Sequence, residues 1–339
     1  MKRLKRREFL SETGQVVAAA AVGVAARSTA NTRPALAKSR VVVVRHPALA
    51  DAAGPDPRAV HGALDEGACA LSGESDAAAA WARWFKPHDR VALKVNCLGL
   101  ATHPAVVAGL GQSLGTVGIT PERTIVWDRT DRELERAGYT LRKRGSGVRC
   151  YGTDALQGSA RGGYDTELAT SGAIGSLYSR IITEQCDALV SVPILKDHNL
   201  AGLSCALKNF FGAIHNPNKY HDNGCAPFVA DVCAHEHIRS RLRFAVCDAT
   251  QPQYNGGPPR RQRWQWPYGG LLLSTDAVAL DRVALEILER KRAVAGLRPL
   301  AAEQRPVRYL EYAAARNLGQ ADLADIEVIS VGTDWLDVG

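Results

Sequence analysis

Three lysines, two asparagines and a histidine stand where a small anion could be held. Lys94 and Asn96 end the apolar run that starts at Val91. Lys196 and His198 follow Val192-Pro193-Ile194-Leu195, and Lys208-Asn209 come shortly after, with Ser204 four residues before Lys208. Ammonium groups and a nearby helix N-terminus attract carboxylate or phosphate. A histidine can accept or give a proton near neutrality. Asp248 closes the run Leu242–Cys247 and offers a carboxylate as acid, base or metal ligand. Arg260 and Trp264 lie in a glycine- and proline-rich stretch over 255–268, where they could clamp an acid and stack on a ring. Each residue also has a plainer use. Lys208 can snorkel, Asn209 can cap a turn, His198 can bond backbone, and the aromatics of 255–268 can pack in the core.

The elements that must position these groups follow from apolar patterning. Strands are predicted at 40–45, 90–96, 124–128, 188–192, 242–247, 270–273 and 326–331. Helices are predicted at 60–71, 76–85, 103–117, 174–185, 201–214, 276–290 and 304–317, with Pro104 in the first turn of the third and Asp276 as an N-terminal cap. Alternating strands and helices imply an α/β fold. Its central sheet is largely parallel or mixed, with helices on both faces and irregular insertions near 130–170 and 215–267. In such sheets ligands bind beyond the carboxyl ends of the strands. That rule gathers Lys94, Asn96, Asp128, Lys196, His198 and Asp248, each at or just past a predicted strand end.

Four blocks stand out together, in this order: Val91-Ala92-Leu93-Lys94-Val95-Asn96 with His103-Pro104; Val192-Pro193-Ile194-Leu195-Lys196-Asp197-His198 running into Gly202-Leu203-Ser204-Cys205-Ala206-Leu207-Lys208-Asn209-Phe210-Phe211-Gly212; Asp248-Ala249-Thr250 with Asn255-Gly256-Gly257-Pro258; and Ser274-Thr275-Asp276-Ala277-Val278-Ala279-Leu280-Asp281. This order resembles the bacterial and archaeal family called domain of unknown function 362, over roughly residues 40–290. The second block is the most specific. Some relatives carry ferredoxin-like cysteine clusters, and this chain lacks them, so the resemblance implies no electron-transfer role and no general activity.

The formal net charge of +7 invites a nucleic-acid reading, but its location argues otherwise. Seven basic and two acidic residues fall within 1–37, leaving 35 basic and 33 acidic beyond. Residues 1–37 read as a secretory leader: Arg6-Arg7-Glu8-Phe9-Leu10, an apolar run over Val16–Ala26, then Ala35-Leu36-Ala37 before Lys38. The paired arginines resemble the twin-arginine export motif, with Lys5 in place of the usual Ser or Thr. The expectation is a precursor handled by the twin-arginine machinery, cleaved near Ala37, and periplasmic or otherwise exported. Residues 38–339 then form one α/β domain. No later segment approaches the roughly 20 apolar residues a membrane span needs, so no stable membrane insertion of the mature protein is expected.

None of the eight cysteines forms a CxxC pair, so no iron–sulfur cluster is expected; one or two disulfides stay open. No other cofactor is specified, and no phosphate loop, nucleophile elbow or dinucleotide fingerprint is present. The expected partner is a small anionic molecule, not nucleic acid. Three readings stay open. One is an exported enzyme, hydrolytic or redox, with His198 or Asp248 moving a proton. Another is a binding protein without turnover. The third is a metal-dependent protein using His198 and Asp248 with Asp197, Asp276 or His215, although no metal-type spacing supports it.

Overall fold

The computed structural model describes residues 38–51, 54–156 and 162–339; the expected leader lies outside the described residues. Among these, the strands in chain order are β1 (Ser39–Arg45), β2 (Val91–Val95), β3 (Thr124–Trp127), β4 (Arg149–Cys150), β5 (Ala169–Ser171), β6 (Ile174–Ser176), β7 (Ala188–Val192), β8 (Ile194–His198), β9 (Gly202–Ser204), β10 (Leu242–Gln253), β11 (Gly270–Ser274) and β12 (Ile326–Gly332). Ten of them make one sheet in the order β12-β1-β11-β10-β7-β2-β3-β4, with β8 pairing β10 and β9; β5 and β6 pair separately. Strand β11 runs antiparallel to both neighbours, while β10, β7, β2, β3 and β4 are mutually parallel. The sheet is therefore mixed, and the fold is α/β.

The valine run of β1 shows why no polar alternation marks the central strands. Val41 and Val43 are fully buried against one layer, Val42 and Val44 against the other. A strand covered on both faces needs apolar side chains at every position. Helices Pro57–Ser72 and Pro104–Thr116 contribute to one layer. Helices Arg180–Gln185, Phe228–Ala234 and Ala277–Val294 contribute to the other. Among the described residues, no helix is long and apolar enough to cross a membrane.

Three predicted helices are corrected. The segment 201–214 forms β9 and then a 3-10 turn, Lys208–Ala213. Gly202 sits at φ 75, outside helical space, and any Cβ there would lie 2.2 Å from the Arg305 carbonyl oxygen. The buried Asp281 carboxylate accepts the Ala206 and Leu207 amides, at 2.6 and 3.1 Å. The segment 174–185 opens as β6, and its helix starts only after Ser179, whose hydroxyl accepts the Ile181 amide. In 304–317 the helix is confined to Tyr309–Ala315, because Gln304 takes a left-handed conformation and Pro306 follows. The Asp276 cap forms as expected, accepting Val278 and Ala279 amides.

Candidate functional site

Strand alternation assembles the site. Lys196 and His198, read from the sequence as lying just past the strand 188–192, belong to a strand of their own, β8. Residues two apart on a strand share a face, so both border one cavity while Asp197 turns away. The Asp197 carboxylate accepts the Gly257 amide at 2.7 Å and pairs with Arg305 at 2.8 Å. Lys94, in β2, enters the same cavity from the sheet.

Lys94 is buried and fully committed. Its ammonium donates to Val95 O at 2.6 Å, Asp128 Oδ1 at 2.7 Å and Asn209 Oδ1 at 3.2 Å. Asn209 in turn donates to Lys94 O at 2.7 Å and Ser191 Oγ at 3.1 Å. These groups clamp the 3-10 turn onto β2 and β7. Lys196 is equally saturated, donating to Asn96 Oδ1, Leu98 O and Leu100 O at 2.8, 2.5 and 2.7 Å. Burial pushes its amine below the ordinary lysine range; the Asp128 carboxylate opposes that shift and the Lys208 charge adds to it. An ammonium has three hydrogens. Neither lysine has one left for a ligand, so each supplies positive field and architecture rather than contact.

Lys208 is different. It is 7% exposed, lies 4.3 Å over the Phe211 ring, and forms no ion pair with a carboxylate among the described residues. Burial lowers its pKa to about 8. Its Nζ stands 3.4 Å from His221 Nε2. His221 Nδ1 is 3.0 Å from Pro217 O, so it must donate there, which leaves Nε2 as the acceptor. His198 is the opposite tautomer. Its Nδ1 accepts the Leu200 and Ala201 amides at 3.1 and 3.2 Å, so the ring hydrogen sits on Nε2. Burial first, and Lys208 next, push both histidines below the usual range and keep them neutral. Two nearly parallel imidazoles, 5.8 Å between centroids, thus offer one donor and one acceptor beside an uncompensated cation.

The cavity holding Lys94, Lys196, His198, Lys208 and His221 measures about 90 Å³, which suits a ligand of a few heavy atoms. Arg129, half-exposed and 4.0 Å from Glu133, also borders it. A larger cavity of about 560 Å³ adjoins it, and Leu98 and Glu133 line both. The segment Cys97–Thr102 walls the two apart, held by Lys196 and by a bond from the Leu100 amide to Pro258 O.

Asp248 and His198, expected together at the strand ends, line different cavities. Asp248 is buried in the wall of the larger one and accepts the His103 amide at 2.8 Å and the Thr250 amide and hydroxyl at 3.0 and 2.7 Å. Its pKa is raised by burial, against those bonds. Arg260 also lines the larger cavity and is exposed. Trp264 lines neither; it packs edge-on to Tyr254 under Arg263. Trp266 and Tyr268 of the same loop are core residues. Sequence reasoning missed His221, Arg129 and Glu133. His221 and Arg129 lie in irregular segments and Glu133 in the short helix Asp131–Arg136, none of them within a motif; only the proximity of His221 to the Lys208 block hinted at it. Among the described residues, no group of three or more His, Cys, Asp or Glu side chains is placed to hold a metal. All eight cysteines are free thiols, with Cys205 and Cys247 3.5 Å apart, Sγ to Sγ.

The fold and site define a mixed-sheet α/β protein with a lysine-lined cavity at its strand ends. The chain belongs to the family described as domain of unknown function (DUF362), whose model matches residues 86–286. Among solved structures, a structural-genomics crystal structure of a Thermotoga maritima protein is similar at 12% identity and a TM-score of 0.38. The similarity covers 61% of this chain and 54% of that one. No curated protein matches.

Proposed function

We propose that the smaller cavity binds a small anion, carboxylate or phosphate in class, and that the neutral histidines move protons on it. The observation that carries this reading is Lys208: a nearly buried cation with no carboxylate partner among the described residues, bordering a cavity. An unpaired buried charge is costly, and an incoming anion would offset that cost. His198 Nε2–H is suited to donate to the anion and His221 Nε2 to accept from it. This reading assigns proton transfer to His198 and His221. It leaves Asp248 and Arg260 to the neighbouring cavity, and Lys94, Asn96, Lys196 and Asn209 to holding the frame.

Calorimetric titration of the purified protein with phosphate, sulfate and oxalate tests the proposal. We expect saturable binding of at least one of these, weakened at least tenfold by Lys208→Ala, as loss of a charge-assisted contact implies. Absence of binding, or equal binding by Lys208→Ala, would overturn it. Incubation with mixed small-molecule acids then separates a catalyst, which forms product, from a binding protein, which retains its ligand unchanged.

Export through the twin-arginine route is part of the same proposal and rests on Arg6-Arg7 and the Ala35-Leu36-Ala37 signal. A reporter fused after residue 40 should be exported, and Arg6→Lys with Arg7→Lys should retain it in the cytoplasm. Export unaffected by that double change would remove the twin-arginine assignment.

A further inference from the structure

The inference here deepens the anion-site reading and rests on it. We infer that Lys208 acts as a nucleophile that captures the carbonyl carbon of a small oxo acid as a Schiff base. Three buried lysines border or reach the cavity, and two have every ammonium hydrogen engaged by protein oxygens. Lys208 lies 4.3 Å above the Phe211 ring and, unlike the other two, has a histidine acceptor, 3.4 Å away. A desolvated lysine beside a neutral base is the arrangement that makes an amine reactive toward carbonyls. Its lowered pKa, about 8, leaves a useful fraction of free amine near neutrality. Once the Lys208 ammonium has drawn such a substrate in and lost its proton, Arg129 borders the cavity to hold the anionic end, and His198 Nε2–H is left for the carbonyl oxygen.

The step balances without an oxidant or a metal. The Nζ lone pair forms a C–N bond to the carbonyl carbon while the C=O π pair moves to oxygen, which takes a proton from His198 Nε2. The amine gives a proton to His221 Nε2. The resulting carbinolamine loses its hydroxyl, with one proton, as water. The nitrogen lone pair closes the C=N bond. Return of a proton from His221 to the departing hydroxyl and reprotonation of His198 from solvent restore both rings.

The test is reductive trapping. The full-length protein is incubated with glyoxylate or pyruvate and sodium cyanoborohydride, and adducts are mapped by mass spectrometry. The expected result is modification of Lys208 at least about tenfold above exposed lysines such as Lys143 and Lys219, suppressed by excess phosphate. His221→Asn should slow trapping by about tenfold or more and displace its pH profile, as removal of a general base does. Lys208→Arg keeps the charge; it should still bind phosphate and give no adduct in the Lys208 peptide. If Lys208 is trapped no faster than surface lysines while phosphate still binds, the Schiff-base assignment falls and the anion site stands. If neither phosphate nor oxo acids engage the cavity, both fall.

Discussion

Lys208 Nζ stands 3.4 Å from His221 Nε2, with the imidazole neutral and no carboxylate paired to either group among the described residues. A buried cation placed against a neutral acceptor is unfinished electrostatically, and its behaviour with pH follows from that.

The ammonium is the form that attracts an anion. With the folded-state pKa of Lys208 lowered to about 8, sulfate affinity should be full below that pH and fall about tenfold per unit above it. Sulfate keeps its charge over this range, so titration calorimetry between pH 6 and 10 reads the lysine. Constant affinity to pH 10 would place recognition on Arg129 instead.

The same shift fixes a sign for stability. Between about pH 8 and the ordinary lysine range, the unfolded chain holds a proton that the native chain lacks, so this group's contribution rises with pH there. Below about pH 8 the cost of its buried charge is fully present. Lys208→Met should therefore stabilise the protein at pH 7 by about 1–3 kcal/mol in urea unfolding and abolish sulfate binding. Destabilisation of similar size would mean that the ammonium is already compensated.

Lys196→Met should have the opposite effect. It leaves Asn96 Oδ1, Leu98 O and Leu100 O without their donor, at a cost of about 1–3 kcal/mol. Urea unfolding of the two lysine variants side by side should give shifts of opposite sign. Shifts of equal sign would refute the division between a structural and a ligand-facing lysine.

Gly212 packs against the Lys94–Asp128 pair with no room for a side chain. A Cβ built there would lie 2.8 Å from both Asp128 Oδ1 and Lys94 Nζ, and both groups are fixed by other bonds. Gly212→Ala should cost about 1–3 kcal/mol and weaken anion binding, because the pair and the turn carrying Lys208 must separate. Unchanged thermal unfolding would show that the turn yields freely.

Much of this was legible in the sequence, for identifiable reasons. β-Branched runs such as Val41–Val44 can only be buried strands, and a strand-end rule then gathers Lys94, Lys196 and His198 without any knowledge of their contacts. What stayed hidden depends on distant partners. Segment 201–214 has helical composition, yet Asp281 takes two of its amides and Arg305 O crowds Gly202. The separation of His198 from Asp248 depends on the path of 97–102, which Lys196 fixes from another strand. His221 sits in a segment whose conformation no periodicity specifies.

Leu98 has a consequence for how such a site can diversify. Its carbonyl is held by Lys196, but its side chain is 55% exposed and lines both cavities. The backbone at this position maintains the architecture, whereas the side chain only limits reach. Exchanging one residue there would let a longer molecule extend from the cationic end into the adjoining 560 Å³ space, with Lys208, His198 and His221 undisturbed. If the anion-site proposal holds, charge recognition and ligand length would be set by separate residues, and one could change without the other.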